Sequence, residues 1–319
     1  AKLVGMLNIK SKIITYLGPL GGFALSRLIT RRVPKIIMYH RFSEEPKSGY
    51  THRSVFERQI KYLHKHYNVI RLDELIIKLN DGQRISSNTV VITVDDGYRD
   101  FYDIAYPILK KYSVPATLFV TTKFVDGAFW LWPDKVKYIL EHSSNLHELD
   151  KSLFLNGMEG LNLLIERDKL WGLIISHLLS ISEDSKNEYL QLLEINQKVK
   201  VPERPIEKYQ AIDWSQANEM ASCNVEIAAH TRSHPSLSKL TSSQLESEVI
   251  GSVDDIENKL GAKPVSFCYP NGQPADYTDE VKKAVKESGC QIAVTAFFDQ
   301  HLINDPLEIR RFTARKRVV

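Results

Sequence analysis

The segment that most constrains the fold is an uncharged run, rich in β-branched residues, that ends in two adjacent carboxylates. Thr89 to Val94 has the composition of a buried strand, and Asp95, Asp96 and Gly97 follow it directly. Two charged residues at the end of a buried strand indicate a specific role, because an unpaired buried charge lowers the stability of the fold. One aspartate could cap a following helix, which would leave the other without a role. Neighbouring carboxylates shift each other's pKa values apart, so one can hold a cation while the other accepts a proton.

A second strand far along the chain also ends in polar residues. Val225 to Ala229 is followed by His230, and His234 lies four residues later, directly before Pro235. Because the residue before a proline avoids the helical region, the two histidines are predicted to lie on a loop that leaves the strand. A lone histidine is usually structural. Two histidines and a carboxylate, all at strand ends, form a ligand set that zinc and related ions accept, with one position open for water.

These two segments resemble the motifs of a known family. Thr93-Val94-Asp95-Asp96-Gly97 is similar to the Thr-Phe-Asp-Asp-Gly motif of the polysaccharide deacetylases (carbohydrate esterase family 4, NodB-homology fold), with Val94 in place of phenylalanine. His230-Thr231-Arg232-Ser233-His234-Pro235 is similar to that family's His-Ser/Thr-x-x-His-Pro motif. The resemblance covers roughly Pro34 to Thr313, and it implies a metal-dependent N-deacetylase.

Chemistry assigns roles to the strand-end residues. Asp96, His230 and His234 are predicted to hold a divalent metal, most simply zinc, with cobalt, nickel or manganese as alternatives. Asp95 is predicted to take a proton from water as the general base. Arg310 or Arg311 could pair with Asp95 and keep it ionised.

The resemblance implies three further site residues. Tyr39-His40 closes the first strand, as in the branch of the family that includes poly-N-acetylglucosamine deacetylases, where the histidine is the general acid. The alternative for His40 is a buried core histidine. Phe267 to Gly272 resembles the family's Tyr-Pro-x-Gly motif, which makes the amide of Tyr269 the predicted oxyanion donor. The family often has an arginine on its last strand, and Arg311 matches it best.

Seven predicted strands alternate mostly with helices, which indicates parallel pairing and an α/β fold. They end near His40, Asp96, Thr121, His230, Tyr269, Ala296 and Thr313. The pattern suggests an incomplete (β/α) barrel, and the family resemblance implies a distorted seven-stranded parallel barrel over residues 33–319. Active sites of parallel barrels lie at the carboxyl ends of their strands, where all these residues fall.

Two helix starts are also predicted from capping residues. Asp73 is predicted to cap one helix, and Ser243 with Glu246 to form a capping box for another.

Residues 129–212 interrupt the alternation and are predicted to form a helical insertion. Phe129-Trp130-Leu131-Trp132-Pro133 opens this stretch. Such an aromatic cluster can stack on sugar rings, although aromatic side chains more often pack in a core.

Residues 1–32 form a basic, apolar N-terminal segment. It could be a signal peptide, an amphipathic arm on a membrane surface, or an arm that packs on the barrel. We favour an arm, with peripheral membrane contact as one of its roles. The uncharged part from Ile13 to Ser26 is too short to span a bilayer.

The composition is ordinary for a globular protein. The net charge of +3 gives no argument for nucleic-acid binding. The three cysteines form neither a close-spaced metal pair nor a disulfide framework, and are predicted to be buried thiols. The family resemblance implies a glycan substrate of N-acetylhexosamine units, in an exopolysaccharide or cell-wall polymer of a bacterial envelope. A cytoplasmic location, another amide substrate (a cyclic imide or small N-acyl compound) and an inactive glycan-binding barrel are the alternatives.

Overall fold

Seven parallel strands form the centre of the fold. The computed structural model of the protein describes residues 30–144, 146, 167–298 and 305–314. The strands are β1 (Lys35–Tyr39), β5 (Thr89–Val94), β6 (Ala116–Val120), β7 (Val225–Ala229), β8 (Ser266–Cys268), β9 (Ile292–Val294) and β10 (Phe312–Thr313). They lie in the sheet in the order β10-β1-β5-β6-β7-β8-β9. The predicted distorted seven-stranded parallel barrel is confirmed.

The last segment of the described chain closes the barrel. Ile309 forms a parallel bridge with Val294 on one side, and Phe312 pairs with Ile37 of β1 on the other. Backbone hydrogen bonds join β9 to the returning chain: Ala293 N–H donates to Pro306 O (2.8 Å), Ile309 N–H to Ala293 O (2.9 Å) and Thr295 N–H to Ile309 O (2.9 Å). Arg311 lies between the two pairings, so closure of the barrel carries this side chain into its interior.

A short strand and a helix fill the amino end of the barrel. β4 (Asn68–Ile70) pairs with the first half of β5, whose second half pairs with β6. Helix α2 (Leu72–Asn80) follows, and Leu72 is fully buried among side chains from the strands. The N–H groups of Leu72 and Asp73 donate to Thr117 Oγ1 (3.0 Å) and Glu226 Oε2 (3.0 Å). The prediction that Asp73 caps this helix is wrong in position, because the helix begins at Leu72 and barrel side chains satisfy its first two N–H groups. Asp73 lies inside the first turn, where it accepts the N–H of Glu74 (2.7 Å).

The remaining helices surround the barrel or follow it. They are α1 (Arg53–His66), α3 (Tyr106–Lys111), α4 (Thr122–Val125), α5 (Trp132–His142), α6 (Arg167–Leu178), α7 (Glu183–Asn196), α8 (Trp214–Ser222), α9 (Ser242–Leu260) and α10 (Asp279–Glu287). Short π and 3₁₀ turns occupy Phe101–Ala105, Glu207–Tyr209 and Leu237–Lys239, and the pair β2 (Phe42–Ser43) and β3 (Thr51–His52) lies beside the main sheet. The capping box of α9 is formed by Thr241 and Gln244, two residues before the predicted one.

Helices α5, α6 and α7 lie within the stretch predicted to be a helical insertion. Their apolar side chains form a buried cluster that is separate from the clusters of the barrel and extends from Trp130 to Tyr209. The two tryptophans that open the stretch are both buried. Each donates its indole N–H to a backbone carbonyl, Trp130 to Pro202 (2.7 Å) and Trp132 to His234 (3.1 Å). These rings are therefore part of the core.

Most of the predicted N-terminal arm lies outside the described residues, as do residues 145, 147–166, 299–304 and 315–319. Within the described part of the chain, no helix has both the length and the apolar character needed to cross a bilayer.

Candidate active site

The carboxyl ends of the strands bring most of the predicted site residues together. Asp95 and Asp96 follow β5, His230 follows β7, and His40 follows β1. His234 lies on the loop after β7, and Arg311 directly precedes β10. Because all these strands are parallel, residues far apart in the chain meet at one edge of the barrel.

Asp95 is a buried carboxylate held by two charge-assisted hydrogen bonds. Arg311 donates through both terminal nitrogens, each 2.7 Å from a different oxygen of Asp95. Arg311 itself is 1% exposed, and it also donates to Thr295 O (2.6 Å) and Thr93 Oγ1 (3.1 Å). Burial alone would raise the pKa of Asp95, but the guanidinium and the nearby His40 lower it below its usual value. Asp95 is therefore ionised and fixed in orientation, as a general base needs.

Asp96, His230 and His234 form a cluster of three possible metal ligands. Asp96 Oδ1 lies 3.4 Å from His230 Nε2 and 3.6 Å from His234 Nε2. His230 Nδ1 lies 2.8 Å from Cys268 O and donates to it, which turns Nε2 towards the cluster. Burial opposes protonation of His230, but Cys268 and Asp96 raise its pKa, so a metal ion bound here would replace the proton on Nε2. Burial and the neighbouring His230 lower the pKa of His234 to about 4, which keeps its imidazole neutral. Burial opposes ionisation of Asp96, yet the two imidazoles lower its pKa.

The geometry of this cluster fits a divalent ion. Ligands about 2.0–2.1 Å from a tetrahedral ion lie roughly 3.3 Å from one another, close to both separations in the cluster. These separations are also long for a charge-assisted hydrogen bond. A second group, Asp95, His230 and Cys268, is equally compact. Arg311 occupies both oxygens of Asp95 and lies 3.2 Å from Cys268 Sγ, so the group around Asp96 suits a cation better.

His40 lies on the solvent side of Asp95. Its Nε2 is 3.5 Å from Asp95 Oδ2, and its side chain is 37% exposed. The alternative of a buried core histidine is therefore wrong. A partly exposed imidazole beside the candidate base can reach a bound substrate, and its role as general acid stays a prediction.

Backbone strain is concentrated in the same place. Asp96, Thr231 and His234 have φ values of 79°, 65° and 57°, in the left-handed region that non-glycine residues rarely adopt. Such strain costs about 1–3 kcal/mol per residue and commonly marks functional sites. Gly97 continues the turn with φ of 90°, and a Cβ there would lie 3.2 Å from Val120 Cγ1. A glycine is needed at this turn both for its conformation and for close packing.

The structure also defines the partners of the remaining predicted site residues. The Tyr269 amide donates to Val294 O at 3.2 Å, as part of the pairing between β8 and β9. The amide thus has a backbone acceptor in this structure, and its role as oxyanion donor stays a prediction. Between the two candidate arginines, only Arg311 reaches Asp95. Arg310 pairs with Glu308 (2.7 Å) and lies over the ring of Phe297.

A cavity of about 600 Å³ opens from the site towards the helical insertion. Its lining includes His40, Asp96 and His234 together with Tyr50, Tyr98, Trp171, Arg41, Asp134 and Lys137. The last six residues were not predicted from the sequence, because they belong to no recognised motif and only the fold brings them together.

Two of these residues are linked across the boundary between barrel and insertion. Tyr98 donates to Asp134 Oδ2 at 2.7 Å, and the Arg41 guanidinium lies 3.6 Å from the centre of the Tyr98 ring. Burial raises the pKa of Asp134 to about 6, although Arg41 opposes the shift. In the sequence, the position of Arg41 directly after His40 was the one indication that Arg41 lies near the site.

The chain matches one family model over more than half of its length. The family is described as polysaccharide deacetylase, and the match covers residues 82–149 and 184–293. A Bacillus subtilis protein, YxkH, which is provisionally named a polysaccharide deacetylase, is 35% identical over 126 residues, or 39% of this chain and 44% of that protein. A poly-β-1,6-N-acetyl-D-glucosamine N-deacetylase of Staphylococcus aureus is 38% identical over 90 residues, or 28% of this chain and 31% of that protein. The matched stretches thus span less than half the length of either relative.

A solved structure supports the same fold. The Streptococcus pyogenes deacetylase PplD, in complex with acetate, superimposes with a TM-score of 0.59 at 18% identity. The alignment covers 89% of this chain and 93% of that one. At this identity the likeness establishes the barrel architecture.

Proposed function

The chain belongs to the polysaccharide deacetylase family, and from this premise we propose that it hydrolyses N-acetyl groups on the hexosamine units of a polysaccharide, releasing acetate. The observation that carries the proposal is the arrangement at the carboxyl end of the barrel. An ionised, immobilised Asp95 adjoins a cluster of two imidazoles and a carboxylate, and the cavity reaches the cluster and His40 beside that base.

We assign the metal site to Asp96, His230 and His234, with zinc as the first choice and cobalt, nickel or manganese as alternatives. Two nitrogen donors and one oxygen donor suit these ions, and a site with three protein ligands leaves a position for a reactant. When bound there, a divalent ion polarises an acyl oxygen and lowers the pKa of water.

The side chains of the protein would then move two protons. Asp95 accepts a proton from the attacking water as the water oxygen bonds to the acyl carbon. Arg311 keeps the carboxylate ionised before this step and oriented throughout it. His40 donates a proton to the amide nitrogen while the carbon–nitrogen bond breaks, because an amine is a poor leaving group unless it is protonated. The products are acetate and a free amino sugar.

The cavity supports a sugar substrate. Its volume is in the range of known ligand pockets. Tyr50, Tyr98 and Trp171 offer aromatic faces on which a sugar ring can pack, and Arg41 and Asp134 offer hydrogen bonds to hydroxyl groups. The name of the Staphylococcus aureus relative makes poly-β-1,6-N-acetylglucosamine the first polymer to test. We further propose that the protein acts at the bacterial cell envelope, with residues 1–32 providing peripheral membrane contact.

Acetate release from a panel of N-acetylated glycans tests the proposed function. The panel contains β-1,6- and β-1,4-linked N-acetylglucosamine oligomers and polymers and a small N-acetyl amine. A cyclic imide is tested beside them by chromatography of its ring-opened product, because its hydrolysis releases no acetate. Zinc-loaded protein should release acetate from at least one glycan and should act poorly on the small amides. Activity on the imide alone would show an amidohydrolase with another substrate. Glycan binding without acetate release from any member of the panel would show a binding module and overturn the proposal.

A further inference from the structure

The two histidines of the candidate metal site are held in different ways. The ring of His230 is oriented by its own Nδ1, which donates to Cys268 O at 2.8 Å. The Nδ1 of His234 is buried and has no hydrogen-bond partner among the residues that the structure describes. The position of the His234 ring therefore depends on its backbone, and that backbone is in the strained left-handed conformation.

The barrel holds the first half of the loop that carries His234. Glu248 of α9 accepts the N–H groups of Arg232 (3.0 Å) and Ser233 (2.8 Å). In the other direction, the carbonyl groups of Thr231 and Arg232 accept from the first turn of α4. The contacts with these helices end before His234. The N–H of His234 donates to the Thr231 hydroxyl within the loop (3.0 Å), and the next residue is a proline, which has no N–H to donate.

The second half of the loop is held by the helical insertion. Trp132, at the start of α5, donates its indole N–H to His234 O at 3.1 Å. Glu183, at the start of α7, accepts the N–H of Ser236 at 3.0 Å. The insertion thus contacts the loop on either side of Pro235, at the two peptide groups that the barrel helices leave to it.

These two contacts are themselves locked by a buried ion pair. Lys186 is 1% exposed, and its Nζ lies 2.6 Å from Glu183 Oε1. The same ammonium group lies 4.5 Å from the centre of the Trp132 ring, within cation–π distance. One lysine therefore fixes both groups that reach the loop. A buried lysine needs such partners, because an unpaired ammonium group is costly away from water.

We propose that the helical insertion is a positioning element of the candidate metal site. Trp132 and the Glu183–Lys186 pair set the backbone of His234 so that its imidazole meets His230 and Asp96. The insertion contributes no metal ligand under this assignment, and its effect on the ion is exerted through His234 alone. The inference rests on the proposed function only in taking Asp96, His230 and His234 as the ligands.

A matched pair of tryptophan variants tests the inference. Trp132→Phe removes the indole N–H that reaches His234 while it keeps an aromatic ring for Lys186. Trp130→Phe is the control, because Trp130 is also buried in the insertion and donates its indole N–H to Pro202 O instead. Zinc affinity is measured on each purified protein by competition with a chromogenic chelator, with no substrate present. The free energy of unfolding of each metal-free protein is measured beside it.

Trp132→Phe should weaken zinc binding about tenfold, at the lower end of the effect of residues that orient a ligand. Trp130→Phe should bind zinc within about twofold of the wild type, the scatter expected where no ligand is disturbed. The visible spectrum of the cobalt-loaded protein should change in Trp132→Phe and not in Trp130→Phe. Equal zinc affinities for the two variants would overturn the inference, since a purely structural role predicts losses of stability without a selective loss of affinity.

A second variant covers a failure of Trp132→Phe to fold. Glu183→Ala combined with Lys186→Met removes the contact at Ser236 and the whole ion pair, so that no charge is left unpaired. It should also bind zinc more weakly than Trp130→Phe, and equal binding would contradict the inference. A wild-type protein without zinc affinity would overturn both the inference and the proposed function. A wild-type protein that binds zinc but releases no acetate would overturn the proposed function alone.

Discussion

The two ends of the barrel each contain a buried carboxyl group, and the two groups differ in their partners. At the carboxyl end, Asp95 is held by the Arg311 guanidinium at 2.7 Å, which keeps its pKa low. At the amino end, Glu226 accepts from the Thr117 hydroxyl (2.6 Å) and the Asp73 N–H (3.0 Å), both neutral donors. Burial and the nearby Asp73 raise the pKa of Glu226 to about 7.

The difference shows that the two ends of the barrel have different roles: the carboxyl end carries the candidate active site, and the amino end holds α2 against the strands. At the carboxyl end, Arg311 and the neighbouring histidines keep the carboxylates ionised, and the cavity opens onto Asp96. The amino end needs hydrogen-bond acceptors for the first N–H groups of α2. The Thr117 hydroxyl accepts one of them, and Glu226, whose pKa is raised to about 7, accepts the other. Burial alone therefore does not indicate the role of an acidic residue. The nature of its partner does.

The largest expected effect tests whether metal binding belongs to the carboxyl end. His230→Ala combined with His234→Ala should reduce the metal content from about one ion per chain to nearly none, because one ligand cannot hold the ion. Metal content is measured by mass spectrometry after dialysis. His64→Ala, which changes an exposed histidine of α1, is the control and should retain the metal. Full occupancy in the double variant would place the ion elsewhere.

The next effect tests proton delivery at the same end. His40→Ala should slow hydrolysis of an N-acetyl amine by roughly two to four orders of magnitude, the usual size of a general-acid contribution. An activated aryl acetate should be affected much less, because a phenolate leaves without a proton. The ratio of the two rates on one enzyme preparation is the measurement. Equal losses on both substrates would give His40 a binding or structural role.

The stability of the buried ion pair offers a smaller effect. Arg311→Met leaves Asp95 buried without a counter-charge and should lower the free energy of unfolding by about 3–5 kcal/mol. Arg53→Met removes an ion pair with Glu44 whose side chains are 49% and 55% exposed, so it should cost no more than about 1 kcal/mol. Denaturant unfolding compares the two variants. Similar losses would mean that Arg311 does not sustain a buried charge.

The smallest expected effect is the pH dependence of stability that Glu226 causes at the amino end of the barrel. The pKa of Glu226 is raised from 4.5 to about 7, so the folded state retains a proton that the unfolded state releases. Wild-type stability should therefore fall as pH rises through this interval, and the loss is complete above it. Glu226→Gln keeps a carbonyl acceptor without the charge. Its stability relative to the wild type should rise by roughly 1–3 kcal/mol between pH 5 and pH 8. If the stabilities of Glu226→Gln and the wild type changed with pH in parallel, the difference drawn between the two carboxyl groups would be contradicted. The acetate-release rate of Glu226→Gln should differ little from that of the wild type.

The strands and the reacting groups could be predicted because their signals are local. A β-branched run that ends in Asp95 and Asp96 marks both a buried strand and a change of chemistry within a few residues. The same holds for the strand before His230. Parallel topology then places the strand ends together, so the site followed from the fold class and the motifs.

Contacts between distant residues could not be predicted. The N–H groups at the start of α2 are satisfied by Thr117 and Glu226, which lie 45 and 153 residues away from their partners, so Asp73 was a misleading cap signal. The Tyr269 amide was assigned from a motif, which did not show that this amide pairs with β9. The strain at Asp96 and the contact of Trp132 with His234 have no signature in the sequence, because each depends on how separate elements pack.

The acetate-release rate of Asp95→Asn, measured with its metal content, tests the central claim most directly. The claim is that Asp95 moves the proton while Asp96, His230 and His234 hold the ion. The variant should retain about one ion per chain, as expected of a site with three protein ligands. It should release acetate from N-acetylglucosamine oligomers roughly two to four orders of magnitude more slowly than the wild type. An unchanged rate, or loss of the ion together with the rate, would contradict the account.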